Sequence, residues 1–177
     1  MRIKPKIIFY QAIIAIMLLS MAIAAHIAID RINYYSERNR STFEQMDTVI
    51  RLSAHMNRYS ENIAELLLLG RTELDDFHDA RSSLDNDLAK LTSLAEQEVR
   101  FIRTTEERAV AGEELVRART MRELFENIDL IVQRLLFLRD ENRYPEAIQL
   151  FRQQIEERLD AELEEHIAAA IADEEGE

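Results

Sequence analysis

The chain has no cysteine and no tryptophan, and only 3 glycines and 2 prolines in 177 residues. Average usage would supply about 12 glycines and about 9 prolines. Without cysteine there is no disulfide framework, no thiolate metal site and no cysteine nucleophile. Sheet corners and tight turns need glycine and proline, so their scarcity excludes a β-sandwich, a barrel or a doubly wound sheet. What remains is an all-α protein with few breaks, of a length suited to one domain. The net charge of −12 also leaves little room for a nucleic-acid partner, because phosphate repels an acidic surface.

The charge is unevenly placed. Residues 1–29 hold Arg2, Lys4 and Lys6 and no acid, which leaves 19 basic against 34 acidic side chains on the other 148 residues. Ile7–Ile29 is uncharged over 23 residues, and Gln11, Ser20 and His26 are its clearly polar members. As a helix it spans ~35 Å, enough to cross a ~30 Å hydrocarbon core with some tilt. Tyr10 near one end and Tyr34 and Tyr35 beyond the other stand where a membrane-interface aromatic belt is expected. The competing reading is a cleaved signal peptide, with Ala22-Ile23-Ala24 as the small-residue cleavage site, releasing a soluble bundle. The run is longer than a signal core and passes into a helical pattern without a breaker, which favours a retained span. The clustered leading charges place the N-terminus in the cytoplasm, although Arg31, Arg38 and Arg40 follow the span.

The sequence therefore divides into a basic lead (1–6), a transmembrane helix (7–29) and an extracytoplasmic helical bundle (30–177). Within the bundle, helices are expected over about 30–69, 73–103, 106–141 and 145–173. Met46, Val49, Ser53, Met56, Ser60, Ile63 and Leu67 form a heptad seam on the first. Gly70 would stop it, and Thr72 with Asp75 would cap the second. Phe77, Leu84, Leu88, Leu91 and Ala95 mark the second helix's buried stripe. Thr104 and Glu107 open the third, whose seam is Met121, Leu124, Ile128, Ile131, Leu135 and Leu138; Gly112 is either a bend or its true start. Pro145 suits the first turn of the fourth, which carries Ile148, Phe151, Ile155, Leu159, Leu163 and Ile167. Short connections make an up-down-up-down antiparallel four-helix bundle, continuous with the transmembrane helix.

At 1.5 Å per residue, the first helix rises ~60 Å and the second returns ~46 Å. The fourth reaches the level of the 103–105 turn, ~12 Å above the bilayer, only near the last residues. This layout gathers Arg31, Arg38, Arg40, Arg100, Arg103 and Arg108 at the membrane end. Helix 4 brings Glu156, Glu157, Glu162, Glu164 and Glu165 toward them. It also implies a longer architecture whose second membrane helix is missing.

The chain resembles the four-helix-bundle sensor domain of bacterial chemoreceptors and membrane sensor histidine kinases. Glu65-Leu66-Leu67-Leu68-Leu69-Gly70-Arg71-Thr72-Glu73-Leu74 is similar to their first hairpin tip. Tyr144-Pro145-Glu146-Ala147 is similar to the entry of their last helix. The resemblance implies a single-pass, inner-membrane sensory input module on the periplasmic side, homodimeric, that binds a small anionic ligand or a periplasmic protein. Family members continue into a second membrane helix, a linker and a signalling output.

With the first hairpin centred near Arg71, His55 falls opposite about residue 87, and His78 opposite about residue 64. Asp75, His78 and Asp79 share a helical face that reads as a solvated acidic surface. Leu163 stands three before His166, where a di-iron bundle needs glutamate. No phosphate loop, nucleophile elbow or kinase signature occurs, so the expectation is a non-enzyme with no cofactor and no metal. Arg81 lies inside the second helix's apolar register, between Phe77 and Leu84, and is the first candidate to receive an anion between helices or subunits. Arg51 and Arg58, seven apart on one face, are the next. The alternative function is a membrane-tethered helical scaffold that recruits partners without a ligand.

Overall fold

The computed structural model describes residues 4–69, 74–156 and 162–176. Every described element is helical. In chain order these are α1 (Lys4–Leu69), α2 (Leu74–Phe101), α3 (Thr105–Asp140), α4 (Tyr144–Leu150), a π-helical stretch (Phe151–Glu156) and α5 (Glu164–Gly176). The all-α class is therefore as the composition requires. Gly70, Arg71, Thr72 and Leu159 lie outside the described residues, and with them the expected Gly70 stop and Thr72 cap.

The chain divides into two units, Met1–Arg40 and Ser41–Glu177. The first is the leading part of α1. Its apolar side chains are exposed, from Phe9 through Leu18 and Ile23 to Ile32, because they surround the helix instead of forming a stripe. It contains one apolar stretch long enough to cross a membrane, at the N-terminal end of α1. The Ser20 hydroxyl donates to the Met17 carbonyl at 2.8 Å, which satisfies its hydrogen within the helix. Phe9 and Tyr10 pack edge-on at a 6.2 Å centroid distance, as do Tyr34 and Tyr35 at 5.5 Å.

The second unit has one core. On α1 its seam is Val49, Leu52, Met56, Tyr59, Ile63 and Leu66, at alternating spacings of three and four. Ser53 and Ser60 are only half-buried on its flank, so the expected seam is displaced toward Leu52, Tyr59 and Leu66. The α2 stripe is as expected, and Ala80 and Leu94 join it. On α3, Phe125 and Val132 are buried, while Leu124 and Ile131 are half-buried. On α3 two adjacent registers are apolar, and the neighbouring helices select between them; on α1 the register of Leu52, Tyr59 and Leu66 is the more apolar one and is the one buried.

The helix ends follow local chemistry. The Thr104 hydroxyl accepts from the Glu107 amide at 3.3 Å and donates to the Glu107 carboxylate at 2.6 Å. α3 starts there and runs through Gly112, so Gly112 is not the helix start. At the far end, Asn142 takes the left-handed φ of 61°. The Asn142 amide donates to the Arg139 carbonyl and the Arg143 amide to the Leu138 carbonyl, which together make a Schellman turn without glycine. Pro145 then falls in the first turn of α4.

The fourth helical stretch departs most from expectation. It is not one α-helix over 145–173 but α4, the π stretch and α5. Its apolar positions explain why. Ala147, Phe151, Ile155, Leu159, Leu163, Ile167 and Ile171 recur at a constant spacing of four. At 3.6 residues per turn such a ladder winds about 40° per step, so by Ile167 it would have turned about 160° from Phe151. A π-turn takes more residues per turn and unwinds this drift. Ile155, Leu163 and Ile167 thereby all stay buried, and the segment packs along α3. Burying each such side chain is worth about 1.5–3 kcal/mol, enough to offset poorer backbone geometry. Ile148, expected on the apolar face, is off the ladder and is exposed.

Candidate functional site

The polar side chains inside the second unit cluster at three levels between helices. At the first, Arg81 of α2 meets Asp129 of α3 side-on. The Arg81 Nε donates to Oδ1 at 2.5 Å and Nη2 to Oδ2 at 2.9 Å. Gln133 Nε2 donates to Oδ2 at 3.1 Å, and the Tyr59 hydroxyl of α1 lies 3.4 Å from Oδ1. The Asp129 side chain is 10% exposed and that of Arg81 44%. Tyr59 stacks on Phe77 and meets Phe125 edge-on, each at a 5.6 Å centroid distance. Burial, reinforced by the Asp129 carboxylate, pushes the Tyr59 phenol far above its ordinary 10.0. Hydrogen bonding to Asp129 raises the Arg81 pKa despite partial desolvation.

At the second level, Asp87 of α2 lies 2.7 Å from His55 Nδ1 and 3.6 Å from Arg51 Nε, both on α1. Arg51 also pairs with Asp47 at 2.5 Å and donates to the Thr48 hydroxyl at 3.2 Å. The hairpin arithmetic that set residue 55 opposite about 87 is matched by this contact. At the third level, buried Gln45 of α1 donates to buried Glu98 of α2. Near the opposite end, buried Arg139 of α3 donates to the Leu66 carbonyl at 2.7 Å. This occupies one of the carbonyls that the end of α1 leaves without a helical partner. Among the described residues no buried side-chain nitrogen or oxygen lacks a partner.

The anion between helices at Arg81 is thus the chain's own Asp129. Arg51 is drawn into the Asp87 pair, and Arg58 is exposed and joins neither. Tyr10 and Tyr35 are exposed and Tyr34 is half-buried, all within the first unit. Asp75, His78 and Asp79 are exposed, and no cluster able to hold a metal occurs among the described residues. Arg100 pairs with Glu96, and Arg108 donates to the Ile102 carbonyl.

Asp87, Glu98, Asp129, Arg139 and Tyr59 were not singled out by sequence. The first two sit on the buried stripe of α2, at the register that holds Leu84, Leu91 and Leu94. An acidic side chain in an apolar register was the available signal. One cavity of about 20 Å³ lies among Gln45, Val49, Met121, Glu114, Arg117 and Ala170. That is room for a water molecule rather than an organic ligand. The arrangement ties helices together. No family model, curated protein or solved structure matches the chain.

Proposed function

We propose that this chain is the sensory input module of a bacterial signal-transduction receptor of the chemoreceptor or histidine-kinase type. In this reading it is anchored in the inner membrane by one transmembrane helix, with a periplasmic up-down-up-down four-helix bundle. The observation that carries it is an uncharged, fully exposed apolar stretch on the same helix, α1, whose later residues pack into a polar-tied helical core. The order of contacts supports the bundle. Along α1, residues 45, 55 and 62 meet 98, 87 and 76 of α2, which is antiparallel. Residues 81 and 96 of α2 meet 129 and 119 of α3, again antiparallel. Exposed Phe43, Ile50 and Leu68 on the outer face of α1 suit a homodimer.

Arg58 is the exposed member of the arginine candidates and the first to test as a ligand contact, with Arg51 and Arg81 able to exchange a carboxylate of the chain for one from solution. An alkaline-phosphatase fusion at residue 177 is expected to be active in cells, and an inactive fusion would place the bundle in the cytoplasm. A thermal-shift screen of small carboxylates on the full chain in detergent is expected to show stabilisation that Arg58→Ala removes.

The water-sized cavity favours a second reading, a membrane-tethered scaffold with no small ligand. A protein partner that co-purifies from membranes, together with no response in the carboxylate screen, would select it.

A further inference from the structure

Charge restricts where a second copy of this chain can sit. Residues 30–177 carry 19 basic against 34 acidic side chains, so two copies repel over most of their surface. In a parallel pair of identical helices each seam residue meets its own counterpart, and a charge there meets the same charge. Such a seam must therefore be uncharged.

Within the second unit α1 carries a line of this kind. Phe43, Ile50 and Asn57, seven apart, are exposed. Met46, Ser53 and Ser60 interleave with them at spacings of three and four and are half-buried. Glu44, Asp47, Arg51 and Arg58 lie on the same stretch, and all four fall off the line. Leu52, in the core, comes two residues after Ile50 and thus about 200° further round the helix. The exposed line and the buried seam are on opposite faces of α1.

The line is also polarised. Its first half, Phe43, Met46 and Ile50, is apolar, and its second half, Ser53, Asn57 and Ser60, is small and polar. A parallel pairing sets apolar on apolar, whereas an antiparallel one sets Phe43 and Ile50 against the polar half. Asn57 then distinguishes one register from the next. Its amide both donates and accepts, so it can bond an identical amide. Slipped by one heptad, it would face Ile50 and lose that partner, which is how a lone asparagine aligns a coiled-coil seam.

We infer that α1 pairs in parallel with α1 of a second copy along this line, and that Asn57 sets the register by hydrogen-bonding to its own counterpart. The inference rests on the homodimer reading above and deepens it, by naming the orientation, the line and the residue that aligns it.

Oxidative cross-linking in native membranes tests it, and the absence of cysteine from the chain makes each introduced thiol the only one. Ile50→Cys is expected to give disulfide-linked dimers at least about tenfold faster than Ser82→Cys on the exposed face of α2. One heptad is about 10 Å along the helix, beyond the reach of a disulfide. Differently tagged Phe43→Cys and Ile50→Cys chains, co-expressed, should therefore form few mixed dimers. Adding Asn57→Leu to both should raise the mixed product at least about threefold without lowering the total. Mixed dimers that are abundant with Asn57 in place, or unchanged by Asn57→Leu, would overturn its role. Dimers trapped by Leu130→Cys on α3 and not by Ile50→Cys would overturn the line and leave the homodimer reading standing. An Ile50→Cys adduct with a different protein, and none with itself, would overturn the second copy as its occupant. Monomers at every position, and by light scattering in detergent, would remove the homodimer reading as well.

Discussion

Leu18 and Leu52 lie on the same helix, α1, yet meet opposite surroundings. Leu18 is 63% exposed and Leu52 is 0% exposed. Around Leu18 the apolar residues point in every direction, so no single neighbour could cover them. Around Leu52 they form a stripe that lies in the core of the second unit. Helix propensity is similar in both places; what differs is the angular distribution of apolar side chains. The first pattern asks for an apolar surrounding from outside the chain, and the second asks only for partner helices.

The largest effect is expected from charging the first region. Ile16→Arg with Leu19→Arg should raise the cost of insertion by about 5–7 kcal/mol, at about 2.5–3.5 kcal/mol per arginine. Flotation of cell membranes should find the variant outside the lipid fraction. Retention in that fraction would mean that something other than the apolar run holds the protein there.

Truncation separates the two regions next. Leu84→Ala, in the core, should cost about 2–5 kcal/mol in denaturant unfolding. Leu18→Ala removes the same atoms and should leave the unfolding midpoint of the second unit unchanged. Equal losses from both would erase the contrast.

The polar ties come third. Arg81→Ala leaves Asp129 buried with only Gln133 and Tyr59, and should cost about 2 kcal/mol. Asp129→Ala frees an arginine that is already half in water but strands the buried Tyr59 hydroxyl, and should cost somewhat less. Thermal unfolding of both variants should show this asymmetry.

Thr104→Ala removes the cap of α3 and should cost about 1 kcal/mol by the same measurement. The smallest effect is expected at Arg143 and Glu146, which are exposed. Arg143 hydrogen-bonds the Glu146 carboxylate and holds its pKa below the ordinary value. The resulting stabilisation is present above the unfolded-state pKa and disappears as pH falls through the folded-state value. Solvent screening leaves it small, so Arg143→Ala should match the parent's melting profile across the acid range.

Much of this was legible in advance. The apolar run, the Thr104 cap and the Pro145 entry rest on local chemistry, which a sequence displays directly. The α2 stripe was unambiguous because only one register there is apolar. On α3 two apolar registers compete, Phe125 and Val132 against Leu124 and Ile131, and only the packed neighbours decide between them. On α1 the greater apolar weight of Leu52, Tyr59 and Leu66 over Ser53 and Ser60 was already visible in the residues themselves. The partner of Arg81 lies 48 residues away, beyond any local pattern. The π stretch was missed for another reason. Its cause, the four-residue spacing from Ala147 to Ile171, is printed in the sequence, but a list of apolar positions hides the period that a count of the gaps reveals.

Tyr59 has one further use. The chain has five tyrosines and no tryptophan, so its absorbance near 280 nm comes from phenols. Tyr10, Tyr35 and Tyr144 are exposed, while Tyr59 is buried and strongly resists losing its proton. In an alkaline titration the Tyr59 phenolate should therefore appear only as the helices separate. Because the unfolded chain gives up that proton near 10.0, rising pH itself drives the separation. The protein thus contains its own optical gauge of whether Tyr59, Phe77 and Phe125 remain packed together, with no dye or added fluorophore.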